Sequence, residues 1–229
     1  MANAGFSSPT NYFGSITGLT PKSSQDGATS QLATAMNDVG DVAAHDIYAE
    51  RIAPSTDYAV TDEVDLSDIE LGDIVTSGGK SIMITQVVVN TQAGQMPTVT
   101  ISGIEVESGA TAQRTVACVG TLLPRSRAQD VAGAFGSSTS LTQCNTTFKL
   151  ETALAEVKGD VKASDTYDAR IEVAGTWTDP AGSLAPTAGT NFTITTAAAS
   201  SSPDVDYRSV TATATKFLEL SDTSAGTGD

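Results

Sequence analysis

The chain has 229 residues, a formal net charge of −15, 39% hydrophobic and 5% aromatic residues. A surplus of carboxylates over Lys and Arg disfavours phosphate contacts, so tight nucleic-acid binding and docking on anionic membranes are not expected. No apolar run is long enough for a membrane-spanning helix, and two cysteines, Cys118 and Cys144, do not make a disulfide framework.

Residues 1–12 are small, polar and Pro-containing, and read as an extended N-terminal arm. They lack the basic start and apolar centre of a secretory signal. Pro21 to Ser30 reads as a turn-rich loop. Leu32–Met36 and Val42–Ile52 then read as a hairpin about Gly40, which would supply a positive φ.

The hairpin sequence recurs. Leu32–Ile52 and Leu150–Ile171 share twelve identical positions with one gap opposite Lys158, among them Leu32/Leu150, Gly40/Gly159, Asp46/Asp165, Tyr48/Tyr167 and Arg51/Arg170. Upstream, Phe13–Thr20 (FGSITGLT) is echoed by Phe135–Thr142 (FGSSTSLT). Two echoes in the same order at nearly the same separation predict an internal duplication. The repeated Asp and Arg fall on opposite strand faces. Either the strand bulges or each charge finds its partner elsewhere; structural roles are expected for both.

Asp57–Asp73 reads as an acidic insert. Asp62, Asp65, Asp68 and Asp73 are candidate cation ligands, although their spacing matches no known calcium loop and a solvated face is the plainer reading. Ser81–Asn90, Val99–Val106 and Thr115–Leu123 read as strands, and Pro124–Ala134 as a connector with a short helix. In the second copy Asn191–Thr196 and Tyr207–Leu220 read as counterparts of the strands from Ser81 and Val99, before a polar tail at Ser221–Asp229.

The expected fold is mainly β: two tandem, duplicated small β-sandwich or barrel units with little helix, over residues 13–134 and 135–220. Small and β-branched residues with tight turns suit sheets. Catalytic sets are missing. The single histidine, His45, is replaced by Ser164 in the second copy. Gly79-Lys80-Ser81 lacks the upstream glycine and following helix of a phosphate-binding loop. The expectation is a non-enzyme without cofactors. A carbohydrate-binding module would need aromatics in exposed grooves, and the single tryptophan, Trp177, reads instead as packing at a hairpin end, opposite Tyr58 of the first copy.

A Thr/Ser/Ala/Gly-rich acidic chain built from hairpins with Val-Gly-Asp turns, Ala-x-Asp-x-Tyr strands and a VTISG strand resembles virion structural proteins of tailed bacteriophages, tail-tube proteins above all. The resemblance implies a small β-sandwich whose subunits join sheets into rings and stack into a tube with an acidic lumen, in a virion assembled in the host cytoplasm with other virion proteins. It implies no catalytic residues. A capsid decoration protein is the alternative within that class. Independently of the resemblance, two similar β units in one chain would let a trimer imitate a hexameric ring.

Overall fold

The computed structural model describes residues 11–36, 42–107, 114–136, 140–157, 160–201 and 207–222; over 28–51, 154–165 and 221–222 only backbone is considered. The predicted arm up to residue 10, the turn glycines Gly40 and Gly159, the tail beyond 222, and the side chains of His45, Asp46, Tyr48, Arg51 and Asp165 therefore lie outside the described residues.

Among the described residues fourteen strands follow in order: β1 (Leu19–Met36), β2 (Val42–Val60), β3 (Val64–Asp65), β4 (Glu70–Leu71), β5 (Ile74–Ser77), β6 (Lys80–Gln92), β7 (Thr98–Val106), β8 (Arg114–Ala117), β9 (Thr121–Leu122), β10 (Leu141–Val157), β11 (Asp160–Asp179), β12 (Thr193–Ser201), β13 (Arg208–Phe217) and β14 (Ser221–Asp222). Among the described residues the single helical element is a 3-10 turn at Leu66–Asp68. The protein is mainly β, as its composition predicts.

One nine-stranded antiparallel sheet carries the order β1-β2-β7-β6-β10-β11-β13-β12, with β5 on the near end of β6. Strand β6 divides its second edge. Lys80–Met83 takes β5, and Gln86–Gln92 pairs with Lys149–Gln143 of β10. That second ladder joins the two halves of the chain into one sheet. The small strands β3/β9 and β14-β8-β4 form a second layer. Between the layers lies a core drawn from both halves, including Leu66, Leu71, Val87, Ile101, Leu122, Phe148, Ile171 and Val173.

The two halves correspond strand by strand. The order β1-β2-β7-β6 is matched by β10-β11-β13-β12. Pro21↔Tyr58 and Ser23↔Asp57 in the first hairpin are matched by Leu141↔Trp177 and Gln143↔Thr176 in the second; Met36↔Val42 is matched by Glu156↔Val161. Each hairpin carries three register shifts at matching places. Tyr58↔Val99 is matched by Trp177↔Val210. The shift at Ile84/Gln86 in β6 is matched by that at Ile194/Thr196 in β12. These ladders set Leu32 against Thr152, not against Leu150 as the residue identities do. The identities are two positions out of phase on that strand, and a two-residue slip keeps the same faces.

Three local expectations are corrected. Pro21–Ser30 is part of β1, not a loop. Strand β1 is at the sheet edge, where a missing N–H costs least, and the register shifts by one residue directly after Pro21. Gly27 lies where a Cβ would meet the Ala53 carbonyl oxygen at 2.9 Å. Residues 124–134 form irregular turns and no helix. Side chains replace helical bonds there. Gln129 Nε2 donates to the Leu123 carbonyl (2.8 Å) and its Oε1 accepts from Leu123 N–H (3.1 Å), while the Asp130 carboxylate accepts from Ala134 N–H (3.0 Å) and Phe135 N–H (2.8 Å). The acidic segment is half core: Val64, Leu66, Ile69 and Leu71 are buried between exposed carboxylates.

The bases of the hairpins are anchored alike. Tyr58 is fully buried and its hydroxyl donates to Asn11 Oδ1 at 2.9 Å. Trp177 is buried and meets Phe135 edge-on, with ring centroids 4.8 Å apart. Gly175 makes room for this pair, because a Cβ there would stand 2.4 Å from the Trp177 ring and 3.0 Å from Phe135. Gly175→Ala is expected to destabilise the fold by about 1–3 kcal/mol through overpacking. Denaturant unfolding measures this, and an unchanged midpoint would contradict the packing described.

Candidate functional site

Strands of 17 to 20 residues are unusual, the usual length being about five or six. Among the described residues, only the bases of these hairpins pair with other strands of the sheet. β2 pairs with β7 over Ser55–Ala59 alone. β10 pairs with β6 over Gln143–Lys149, and β11 with β13 over Arg170–Asp179. Beyond those limits each hairpin continues as a two-stranded ribbon for roughly 30–40 Å at about 3.3 Å per residue.

Side chains seal the points where the ribbons leave. At the first, Glu105 of β7 accepts from Ile52 N–H at 3.0 Å, in place of the ladder that has ended at Ser55. Lys80 of β6 holds that carboxylate through bonds of 2.8 and 2.9 Å. Nearby, Asp57 ties three strands together, accepting from Ser23 Oγ (2.9 Å) and Thr100 Oγ1 (2.6 Å).

At the second, Arg170 is the centre. Its guanidinium donates to Glu172 (2.7 Å), Asp168 (2.6 Å) and Glu151 (3.4 Å), and Glu151 also meets Lys149 at 2.6 Å. The bond to Glu172, and then the neighbouring carboxylates, raise the Arg170 pKa against the opposing effect of burial. Lys149 lowers that of Glu151. Asp168 has φ +52° and is the residue skipped between Leu150↔Ala169 and Glu151↔Tyr167. The strand bulges here, one of the two outcomes that the sequence left open, and Arg170 finds its partners in Glu172, Asp168 and Glu151. A short polar side chain tolerates the left-handed conformation. Of the repeated residues, Tyr167 is thus half-exposed beside this cluster and Arg170 is its hub.

The other candidate residues serve the backbone. Asp65 caps the 3-10 turn through Ser67 N–H (3.0 Å) and Ser67 Oγ (2.7 Å), and the hydroxyl and then the amide hold its carboxyl below the ordinary range. Asp62 accepts from Glu63 N–H and Asp73 from Ile74 N–H, each at 2.8 Å. Asp68 is exposed in the turn. Among the described residues no three of His, Cys, Asp and Glu are grouped to hold an ion. Both thiols are buried, and burial pushes Cys144 up to about 12, with the Asp130 charge adding to it. Trp177 is inside the core and presents no face to a ligand.

Sequence reasoning overlooked two features. One is the pair of sheet edges. Among the described residues β12 pairs only with β13, and β1 only with β2. Thr193–Ser201 is exposed along nearly its whole length and contains no charge and no proline. Ile194 alone is partly covered. Natural edges are normally blunted by charge, proline or cover. On β1, Pro21 to Gly27 is exposed apart from Ser24, and a shallow groove lined by Asn11, Pro21, Lys22, Ser23 and Ser24 runs beside it. The signal was an alanine-rich stretch, which carries no periodicity. The other feature is Asp179, buried where β11 ends.

Asp179 accepts two bonds from Arg208 (2.6 and 3.0 Å) and one each from Leu184 N–H (2.9 Å) and Ser183 N–H (3.3 Å). Burial pushes its carboxyl up, but these donors together outweigh burial and hold it below the ordinary value. A depressed carboxylate adds stability that is complete above about pH 4 and lost as pH falls through the folded-state pKa. The stability gap between wild type and Asp179→Asn is therefore expected to shrink on acidification below about pH 4. Denaturant titrations across pH measure it; a gap independent of pH would contradict the assignment.

No protein-family model matches this chain, and no curated protein does.

Proposed function

We propose that this chain is a non-enzymatic structural subunit that assembles with copies of itself into a ring, and that its place is the tail tube of a tailed-phage virion. The observation that carries the reading is the combination of two sheet edges left unpaired among the described residues with two hairpins whose ladders run on past the strands that flank them. An isolated two-stranded ribbon is marginal in water. Ribbons of this length are stabilised when a neighbouring subunit packs against them. Uncovered edges are likewise stabilised when a neighbour completes their hydrogen bonds.

The correspondence of strand order and register between the halves supports descent by duplication, so that each chain supplies two ring positions and three chains supply six. The net charge of −15 supports an acidic lumen along which DNA slides without adhering. The resemblance to tail-tube proteins in composition and hairpin style favours a ring in a tail over one on a capsid surface.

Negative-stain microscopy and sizing in solution test this. Rings or tubes are expected. A stable monomer at all concentrations would overturn the reading, and discrete trimers that bind to empty heads would move the protein to the capsid surface. A deletion of residues 1–12 is expected to block assembly while the circular-dichroism spectrum stays β-like; normal assembly would remove the arm from the account.

A further inference from the structure

The sheet contains its own template for a junction between subunits. Its two halves share one strand order and one set of registers, and the last strand of the first half, β6, pairs with the first strand of the second, β10. The counterpart of β6 in the second half is β12, and the counterpart of β10 in the first half is β1. These two counterparts are the free edges. The junction made once inside the chain is therefore left unmade at both ends, with complementary halves.

We propose that β12 of one chain adds to β1 of the next copy in the register of the β6–β10 ladder. The proposal rests on the self-assembly reading and names the surface and partner it requires. Matching positions fix the pairs. Gln86↔Lys149 becomes Thr196↔Thr29, Asn90↔Asn145 becomes Ser200↔Gln25, and Thr91↔Cys144 becomes Ser201↔Ser24.

The residues fit such a ladder. Thr193–Ser201 has neither a proline to remove a donor nor a charge to desolvate. In the internal junction Asn145 Nδ2 donates to Asn90 Oδ1 at 2.7 Å, and the corresponding pair Gln25 and Ser200 is again polar on both sides. Val87 and Phe148, buried at the internal junction, are matched by small residues, Ala197 and Ala28. Less apolar surface would be covered between chains than within one, as befits a contact that forms after folding. The junction uses different surfaces on its two sides, so it is head-to-tail and builds a closed ring or an open filament rather than a two-fold dimer.

Cysteine cross-linking tests it. Gln25→Cys and Ser200→Cys are made in separate chains, folded, checked by circular dichroism, mixed and mildly oxidised. Cys118 and Cys144 are buried and do not compete. The double variant Asn90→Cys/Asn145→Cys, joined within one chain, confirms that this ladder position closes a disulfide. The expected result is a covalent dimer as the main species in the mixture and none with either chain alone. Gln25→Cys mixed with Ala198→Cys, two residues off register, should give none, since diagonal neighbours are about 7–8 Å apart, beyond disulfide reach. Rings or tubes without the cross-link would overturn the proposed junction and leave the assembly reading standing. Cross-linking equal at Ala198 would overturn the register. Protein that neither cross-links nor assembles would overturn both.

Discussion

The ladder between β6 and β10 is the contact on which the rest of this fold depends. Without it the first half would be a five-stranded sheet, β5 included, and the second a four-stranded one, each with a long hairpin on one side. With it, the second layer, supplied by the first half apart from β14, also covers Phe148, Ile171 and Val173 of the second, and one core serves both. The same ladder fixes which edges remain. Because it joins unlike edges of like halves, the ends of the sheet are the complementary strands β1 and β12.

The polar chemistry is that of a scaffold. Asp65, Glu105, Asp130 and Asp179 each direct a carboxylate at backbone N–H groups where a ladder or turn has stopped. Unpaired backbone donors are costly when buried, and a charged acceptor satisfies them strongly. Asp57 and Arg170 bind neighbouring strands instead. These bonds hold the bases of the two long hairpins where their pairing with the flanking strands ends. On the proposed reading, the ribbons and open edges find their neighbours in other subunits, and the acidic surface faces the lumen.

Much of the sheet was legible in the residues. Ser81–Asn90 and Val99–Val106 carry β-branched runs, and both central strands fall there within two residues. The recurring Asp-x-Tyr-x-x-Arg marks the second strand of both long hairpins. What was lost followed from local signals overridden by pairing. Pro21, Gly27 and the serines between them spell a loop, yet an edge strand opposite β2 tolerates them. Pro124–Ala134 has helical composition, but Gln129 and Asp130 spend their side chains on nearby backbone and hold turns. The charges of Asp57–Asp73 hid the apolar residues Val64, Leu66, Ile69 and Leu71, which close the core. Identity matching also set Leu32 against Leu150, where the ladders differ by two residues; a slip that preserves the faces leaves no trace in hydrophobic pattern. The edge role of β12 was illegible because alanines and serines suit any exposed element. It emerged only from strand order.

Hydrogen exchange of backbone amides, followed from dilute to concentrated protein, is the most direct measurement of the central claim that the free edges are the assembly surface. The account predicts that amides of Ser24–Thr29 and Thr196–Ser201 gain protection together as assemblies form, while those of β6 and β10 are protected throughout. Assemblies in which both edges continue to exchange rapidly would contradict it.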